Sequence, residues 1–241
     1  MRLLKLSLFA SALLLGSMTM KAQSADEVMN KHIAAVGGAE SWKKITSIKR
    51  SGTVSLQGNE CKLTMCQAQK KGFRMDLDFD MGGTVVNNYV LLTNTEGWQY
   101  FPVGGQTEPQ AMTPDQVKES QDELDLTDDV VKLKTAGTKV TYDGKEQVEG
   151  KECHKLSYVN KDGDPVTLHF DAASGYLVKK TEKMEVQPGQ KMDVTSSFSN
   201  YQKLPEGISV PMSGNDPNLG AFTFTSVDIN KGVDDNTFKR K

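Results

Sequence analysis

The amino-acid sequence predicts a mainly β protein with about ten or eleven antiparallel strands and a few short helices. Apolar and polar residues alternate along most segments after residue 46, a pattern typical of strands with one buried and one solvated face. Turn sequences such as NKDGD, DAASG and PEG recur in steps of about ten residues, as expected for a meander of short strands. Helical spacing of apolar residues is confined to the start of the chain and to one internal segment (102–137).

Residues 1–22 are typical of a secretory signal peptide. Arg2 and Lys5 precede an uncharged apolar run, and small residues follow it around Ala22. The run is shorter than the ~20 apolar residues that a membrane-spanning helix needs. No cysteine follows it directly, so we expect no lipid anchor. We therefore expect residues 23–241 to be exported to the periplasm and to fold there as a single domain.

Three helices are predicted. The first lies within residues 24–38, begins after Ser24 or Asp26 and ends at a pair of glycines. A second short helix lies in residues 39–45. The third runs from Pro114 to about residue 124, because a threonine that can cap the helix precedes a proline at its first position.

The charge distribution excludes one class of partner. The chain has 29 basic and 31 acidic residues and a net charge of −2. Its basic residues do not cluster, so it lacks the positive patch that nucleic-acid binding requires. Attraction to anionic lipid headgroups is equally unsupported. We expect a soluble monomer with no nucleic-acid partner.

The three cysteines leave the redox state open. An odd number in an exported protein implies at least one free or intermolecular thiol. Cys61 and Cys66 lie on one predicted strand and face opposite ways, about 16 Å apart, which is too far for a disulfide. The pairing of Cys153 is undetermined.

One hairpin has a predictable register. Asn160 to Gly163 form a tight turn that closes on a left-handed glycine. This register pairs Leu156 with Leu168, Tyr158 with Val166, and His154 with Phe170, and it places these six side chains on one face. The opposite face, which includes Cys153 and His169, is predicted to be polar.

No catalytic or metal-binding constellation is present in the sequence. His154 and His169 fall on opposite faces of the predicted hairpin, so they cannot share a metal ion. The chain has no C-x-x-C or H-x-x-x-H spacing, no nucleophile elbow and no phosphate-binding glycine loop. We expect no enzyme activity, no catalytic residue, no metal and no cofactor.

The predicted strands share an apolar face that is larger than the short helices need to cover. Part of it is predicted to line a cavity suited to an acyl chain. A filled core is the alternative, and the pattern alone favours it. The candidate ligand-binding residues are Phe73, Met75, Leu77, Phe79, Trp98, Leu156, Tyr158, Val166, Leu168 and Phe170.

Several segments, in their order, resemble the LolA-like family of periplasmic outer-membrane lipoprotein-sorting proteins, especially members from bacteria of the Bacteroides kind. They are GGAESWKKITSIKRSGTV, KKGFRMDLDF and TEGWQYFP, then VEGKECHKLSYVNKDGDPVTLHFDAASGYLVKK, FSNYQKLPEGISVPMS and VDINKGVDDNTFK, and together they span nearly all of 26–239. The resemblance implies an incomplete antiparallel β-barrel whose concave face is covered by helices that act as a lid.

The same resemblance implies a non-enzymatic carrier of lipid or lipoprotein acyl chains, with membrane-associated sorting proteins as possible partners. The alternative is a periplasmic sensor or interaction module that uses this scaffold without transport. In the family, a basic residue before the first long apolar strand helps to hold the lid. Lys70, Lys71 and Arg74 are the candidates here, although the proline that usually follows is missing.

Deleting residues 1–22 is expected to leave the protein in the cytoplasm, because residues 23–241 contain no second targeting pattern. Cell fractionation with immunoblotting of the full-length and truncated chains measures this. Recovery of the truncated chain from the periplasmic fraction would contradict the prediction.

Overall fold

The computed structural model describes residues 23–56, 58–187 and 189–240. The predicted signal peptide lies outside these residues. Within them, thirteen strands form one antiparallel sheet that does not close on itself. The predicted fold class, a mainly β open half-barrel with a few helices, is confirmed.

Each strand is numbered in chain order. The strands are β1 (Ser47–Leu56), β2 (Asn59–Ala68), β3 (Gly72–Asp80), β4 (Val85–Thr93), β5 (Gly97–Tyr100), β6 (Gln110–Ala111), β7 (Thr141–Val148), β8 (Lys151–Val159), β9 (Pro165–Asp171), β10 (Leu177–Gln187), β11 (Gln190–Lys203), β12 (Ser209–Asp216) and β13 (Gly220–Ile229). The count exceeds the predicted ten or eleven partly because β6 has only two residues and lies where no alternation is visible.

Two meanders, β1–β6 and β7–β13, meet at one seam between β1 and β13. The order in the sheet is β6-β5-β4-β3-β2-β1-β13-β12-β11-β10-β9-β8-β7, so the first and last strands are neighbours. Ile48 pairs with Ile229, and Val54 pairs with Phe222. A bulge between Ser51 and the following glycine shifts the register of this seam. The two edges of the sheet are β6 and β7.

The predicted register of the β8–β9 hairpin is confirmed. Leu156 pairs with Leu168, and His154 pairs with Phe170. Gly163 closes the turn with a φ of 81°, where glycine carries no steric penalty. Local turn chemistry and alternation are therefore sufficient to determine this pairing.

The side of the sheet that faces the helices is called the inner face, and its residues form three buried clusters. The central cluster joins Leu63, Leu77 and Phe222 to Trp42 and other residues. The second joins β8, β9 and β10 to the first helix, and the third joins β3 and β4 to the internal segment. The apolar face is thus covered by helices that come from two separate parts of the chain.

Four α-helices are present among the described residues: α1 (Ala25–Ala35), α2 (Ala39–Trp42), α3 (Pro114–Glu119) and α4 (Asp129–Thr135), with 3₁₀ turns at Pro102–Gly104 and Ser120–Leu124. Reciprocal capping boxes open α1 and α3, formed by Ser24 with Glu27 and by Thr113 with Gln116. The three predicted helices are confirmed, although the third becomes a 3₁₀ turn after Glu119.

Helix α4 was not predicted. Its seven residues make barely two turns, too short for helical periodicity to stand out in the sequence. Asp128 caps it by accepting hydrogen bonds from the backbone of Val130 and Val131. The same two valines are buried against the inner face.

The opposite side of the sheet, called the outer face, is not fully solvated as the alternation predicts. Arg74 of β3 is 3% exposed and lies there with Cys66, Tyr89 and Leu91, which are also buried. Residues 233–240 pack over this patch. The prediction of a wholly wet face is therefore wrong for β3.

Specific contacts hold residues 233–240 in place. Arg74 donates a hydrogen bond to the carbonyl oxygen of Lys239 at 3.3 Å. The guanidinium of Arg240 lies 4.4 Å from the ring centre of Trp98. A Cβ placed on Gly72 would lie 2.6 Å from the ring of Phe238. The missing side chain of this glycine is what lets the aromatic ring lie flat on the sheet.

The outer face of β8 and β9 is also more buried than predicted. Cys153 and His169 are buried there. Glu146 on β7 lies 3.3 Å from Nε2 of His169 and covers that side. All three cysteines of the chain are free and buried, and Cys61 and Cys66 face opposite sides of the sheet as predicted.

No helix among the described residues is long and apolar enough to span a membrane.

Replacing Gly52 by alanine is expected to destabilise the protein by about 1–3 kcal/mol, because the strands of the seam would be forced apart. A Cβ at this position would lie 2.0 Å from the carbonyl oxygen of Thr223 on β13. Urea unfolding measures the free-energy change. Gly104→Ala is the matched control, since its nearest contact would be 3.9 Å away. Equal effects of the two substitutions would contradict the prediction.

Candidate functional site

The structure places the ten predicted ligand-binding residues on two different faces of the sheet. Nine lie on the inner face, and most of them are packed in the clusters described above. Leu77 belongs to the central cluster, and Phe73 belongs to the cluster of β3 and β4. The buried residues Leu156, Val166, Leu168 and Phe170 pack together beneath α1 and α4. Met75, Phe79 and Tyr158 are partly buried at the margins.

Trp98 does not join the other nine. It pairs with Leu91, whose side chain is on the outer face with Arg74. Its indole Nε1 donates to Glu96 at 3.0 Å, and Arg240 stacks on its ring. The predicted placement of Trp98 on the inner face is therefore wrong.

A cavity of about 590 Å³ lies between the inner face and residues 120–135, which are called the cover segment. Its floor includes Arg50 and Gln67 from one meander and Tyr158 and Lys180 from the other. The size is within the range of small-molecule sites. Of the predicted ligand-binding residues, Tyr158 lines it.

The wall of this cavity is mostly polar. The acidic residues that line it are Asp122, Glu123, Asp125, Asp128 and Asp129, and the basic residues are Arg50, Lys132 and Lys180. Its apolar contribution comes from Trp42, Leu126 and Leu133, with the ring of Tyr158. A hydrocarbon chain is therefore not the natural occupant of this space.

Most of these charges have a partner. Lys132 and Lys180 form ion pairs with Asp129 at 2.7 Å and with Glu182 at 2.9 Å. Asp122 pairs with Lys161 at 2.6 Å. Asp125 accepts hydrogen bonds from Gln69 and Thr127, and Asp128 is bonded to His32. Of the charged side chains that line the cavity, Arg50 and Glu123 have no ion-pair partner among the described residues.

Arg50 points into the cavity from β1. Its Nη1 donates to the amide oxygen of Gln67 at 2.5 Å. No carboxylate of the described residues lies within 4.0 Å of its guanidinium. Burial lowers the pKa of Arg50 to about 10, and the negative charge of Glu123 opposes that shift. The residue thus stays charged at neutral pH in a place that penalises charge.

Glu123 enters the cavity from the cover segment. Glu123 is exposed to solvent as a whole residue, but partial desolvation of its carboxyl raises the pKa, and repulsion from Asp129 raises it further. Throughout the part of the chain that the structure describes, its carboxylate has no hydrogen-bond donor or cation within bonding distance. Its backbone oxygen accepts a bond from Gln67 Nε2 at 3.0 Å. Gln67 therefore links Arg50 to the cover segment.

The cover segment is bound to the end of β2 by polar contacts. Gln69 accepts a hydrogen bond from the backbone N–H of Leu126 at 2.7 Å and donates one to Asp125 at 3.1 Å. The backbone N–H of Lys70 donates to the carbonyl oxygen of Leu124 at 2.8 Å. Lys70 adopts a left-handed φ of 54° at this turn between β2 and β3.

The three basic residues expected to hold a lid differ in how they lie relative to the cover segment. The part of Lys70 that contacts the cover segment is its backbone. The ammonium of Lys71 lies 3.8 Å from Asp235, and Arg74 is paired with Asp76 at 2.7 Å on the outer face. Neither of these last two side chains is directed at the cover segment. Two cations of the sheet lie beneath the cover segment, Arg50 and Lys180, and Lys180 is paired with Glu182.

A second attachment joins the cover segment to α1. His32 is 1% exposed, with its Nε2 3.3 Å from Asp128 and its Nδ1 3.0 Å from the carbonyl oxygen of Gly175. Lys134 of α4 donates to Asp26 of α1 at 2.7 Å. The cover segment is thus held at both ends by hydrogen bonds and ion pairs, with the cavity between them.

The described residues contain no group of three or more His, Cys, Asp or Glu side chains that could hold a metal ion. His154 and His169 lie on opposite faces, as their register requires. Burial lowers the pKa of both imidazoles. His154 lies 3.2 Å from the hydroxyl of Tyr142, so each histidine has a structural neighbour.

Sequence reasoning missed Arg50, Gln67 and the acidic residues of the cover segment. One signal for Arg50 is present in the sequence. It occupies an inner-facing position of β1, between Ile48 and Val54, where the alternation requires an apolar or small residue. A charge at a core-facing strand position marks a functional candidate because its burial is costly.

Comparison with known proteins identifies the fold. The sequence matches no protein-family profile and no curated protein. An outer-membrane lipoprotein-sorting protein domain from Vibrio parahaemolyticus superimposes with a TM-score of 0.52 at 14% identity, covering 88% of this chain and 94% of that chain. A LolA superfamily protein from Nitrosomonas europaea gives a TM-score of 0.52 at 11% identity, covering 91% and 99%. The chain has a LolA-like fold.

Stability is expected to fall as the pH drops through the acid range, and Asp128 is one cause. Burial by itself raises the pKa of this carboxyl. The bond and charge of His32 and the N–H groups of Val130 and Val131 outweigh burial and hold the pKa below the ordinary 3.8. The stabilisation is therefore present above about pH 4 and lost as the pH falls through the folded-state pKa.

Asp128→Asn keeps an acceptor for the helix cap but removes the charge. We expect it to lower the free energy of unfolding at pH 7 by about 1–2 kcal/mol and to flatten the acid limb of the stability profile. Urea unfolding from pH 7 to pH 3 measures both. Glu108→Gln, in an exposed loop, is the control. Parallel profiles for Asp128→Asn and the wild type would refute this role.

Proposed function

We propose that this protein is a non-enzymatic periplasmic carrier that shelters lipid or lipoprotein acyl chains between its inner face and its helices. The observation that supports the proposal most is the LolA-like half-barrel with an apolar inner face covered by helices from two parts of the chain. Residues 23–241 form the carrier domain in this proposal, and residues 1–22 direct it to the periplasm. The neighbours that share the fold include an outer-membrane lipoprotein-sorting domain.

The inner face offers the apolar surface that such a carrier needs. Phe73, Met75, Leu77 and Phe79 follow one another along the inner side of β3. Leu156, Leu168 and Phe170 extend this surface in the other meander. Each methylene transferred from water to this surface contributes about 0.8 kcal/mol, so a long chain binds without specific contacts.

Binding requires the cover segment to move, because the inner clusters are filled in this structure. The attachments at Gln69, Lys70 and His32 are polar. Each hydrogen bond contributes only about 0.5–1.5 kcal/mol net, because water replaces it when the segment lifts. Breaking these attachments is therefore less costly than separating two strands of the sheet. The larger cost of opening is the exposure of the apolar side chains of the segment that are buried against the inner face.

Lipid should accompany the protein when it is purified from the periplasm of a producing cell. Organic extraction followed by mass spectrometry identifies it, and a fluorescent fatty acid then measures the rate of uptake by the delipidated protein. Gln69→Ala removes two attachments of the cover segment and is expected to speed uptake by about tenfold. Gln202→Ala, on an exposed position of β11, is the matched control.

Two outcomes would contradict the carrier. One is a wild-type protein that carries no lipid and does not bind the fluorescent fatty acid. The other is uptake that is unchanged by Gln69→Ala although unfolding shows that its attachments are lost. Retention of a protein partner in the absence of lipid would instead support the sensor or interaction module.

A further inference from the structure

The polar cavity beneath the cover segment differs in chemistry from the apolar inner face. An acyl chain gains nothing from a wall that carries eight ionisable acidic or basic side chains. The question is therefore which chemical group the unpaired charges of Arg50 and Glu123 would bind.

Arg50 has free donors that can bind an anionic group. A guanidinium has five N–H donors in a planar fork that matches phosphate or carboxylate oxygens. One donor of Arg50 is used by Gln67, and no other acceptor of the described residues takes the rest. Arg50 is only partly exposed and faces the cavity, and charges that are largely removed from water are normally paired, so its free donors mark a place for an anionic group.

Glu123 adds a negative charge to the same site. It lines the same cavity and is close enough to Arg50 for its charge to raise the arginine's pKa. The neighbouring cations Lys132 and Lys180 are already paired with Asp129 and Glu182. A purely anionic ligand would be attracted by Arg50 but repelled by Glu123, whereas a ligand with both charges satisfies both residues.

The geometry points to a binding site for a zwitterionic headgroup of the phosphoethanolamine type, with its phosphate on Arg50 and its ammonium on Glu123. The cavity of about 590 Å³ is large enough for such a group and opens between the two meanders, beside the apolar clusters. Tyr158 joins the two regions, because it lines the cavity and packs against the apolar cluster of β8 and β9. This inference rests on the proposed carrier function for the acyl part of the ligand.

The test compares two lipids with the same acyl chain, lysophosphatidylethanolamine and lysophosphatidylglycerol, and the chain-free phosphoethanolamine. Isothermal titration of the delipidated full domain measures their affinities. We expect the wild type to prefer the zwitterionic lipid. Arg50→Gln is expected to lower the affinity for that lipid by about tenfold or more, because a charge-assisted contact is lost. Glu123→Gln is expected to remove the preference between the two lipids.

The controls separate binding from folding. Lys49→Gln removes a positive charge from the opposite side of β1, and Glu119→Gln removes a negative charge just before the cover segment. Both should bind like the wild type. Arg50→Gln should unfold at about the same urea concentration as the wild type, since it removes a partly buried charge that has no ion-pair partner among the described residues. Arg50→Lys keeps the charge without the fork and should lie between the wild type and Arg50→Gln.

Each outcome decides the inference. Equal binding of both lipids that does not respond to Arg50→Gln would overturn the headgroup site and leave the carrier intact. Binding of free phosphoethanolamine that depends on Arg50, without binding of either lipid, would support the site and refute the carrier. If none of the three ligands binds, the headgroup site is overturned, and the fluorescent fatty-acid assay decides the carrier separately.

Discussion

An open sheet with one apolar face cannot bury that face by itself, and this constraint governs the molecule. Alternation along each strand collects the apolar side chains on the inner face. A closed barrel would cover them with its own strands, but here the edges β6 and β7 stay apart. Helices from two parts of the chain therefore supply the cover. The fold thus depends on covering elements that lie outside the sheet.

The attachments of the cover segment have a different chemistry from the clusters beneath the helices. Gln69, Lys70 and His32 bind it through hydrogen bonds, while Val130 and Val131 on its helix insert into the inner face. Between these contacts lies a cavity that holds the unpaired Arg50 and Glu123. Water or a polar ligand can replace hydrogen bonds at low net cost, whereas buried apolar contacts have no such substitute. The segment is therefore held by two kinds of contact: hydrogen bonds that water can replace, and buried apolar side chains that water cannot replace.

Local patterns in the sequence were sufficient for most of the fold. The β8–β9 register, the inner-facing residues of β3 and the caps of α1 and α3 all depend on residues close together in the chain, and all are confirmed. The cavity could not be predicted in the same way, because its wall combines four strands with a segment that has little periodicity. The outer-face burial of Arg74 and Trp98 depends on residues 233–240, which are distant in sequence. Non-local contacts of this kind leave no periodic signal.

The seam between β1 and β13 has a consequence for how the chain acquires its structure. Each meander pairs only strands that are neighbours in the sequence, so its hairpins can form as soon as their own residues are available. The seam joins Ile48 to Ile229 and must wait for nearly the entire chain. Loop closure over such a distance slows folding. Until it occurs, β1 exposes an unpaired edge, which is a site for aggregation. A chaperone that protects this edge would therefore act on the incompletely folded chain rather than on the folded protein.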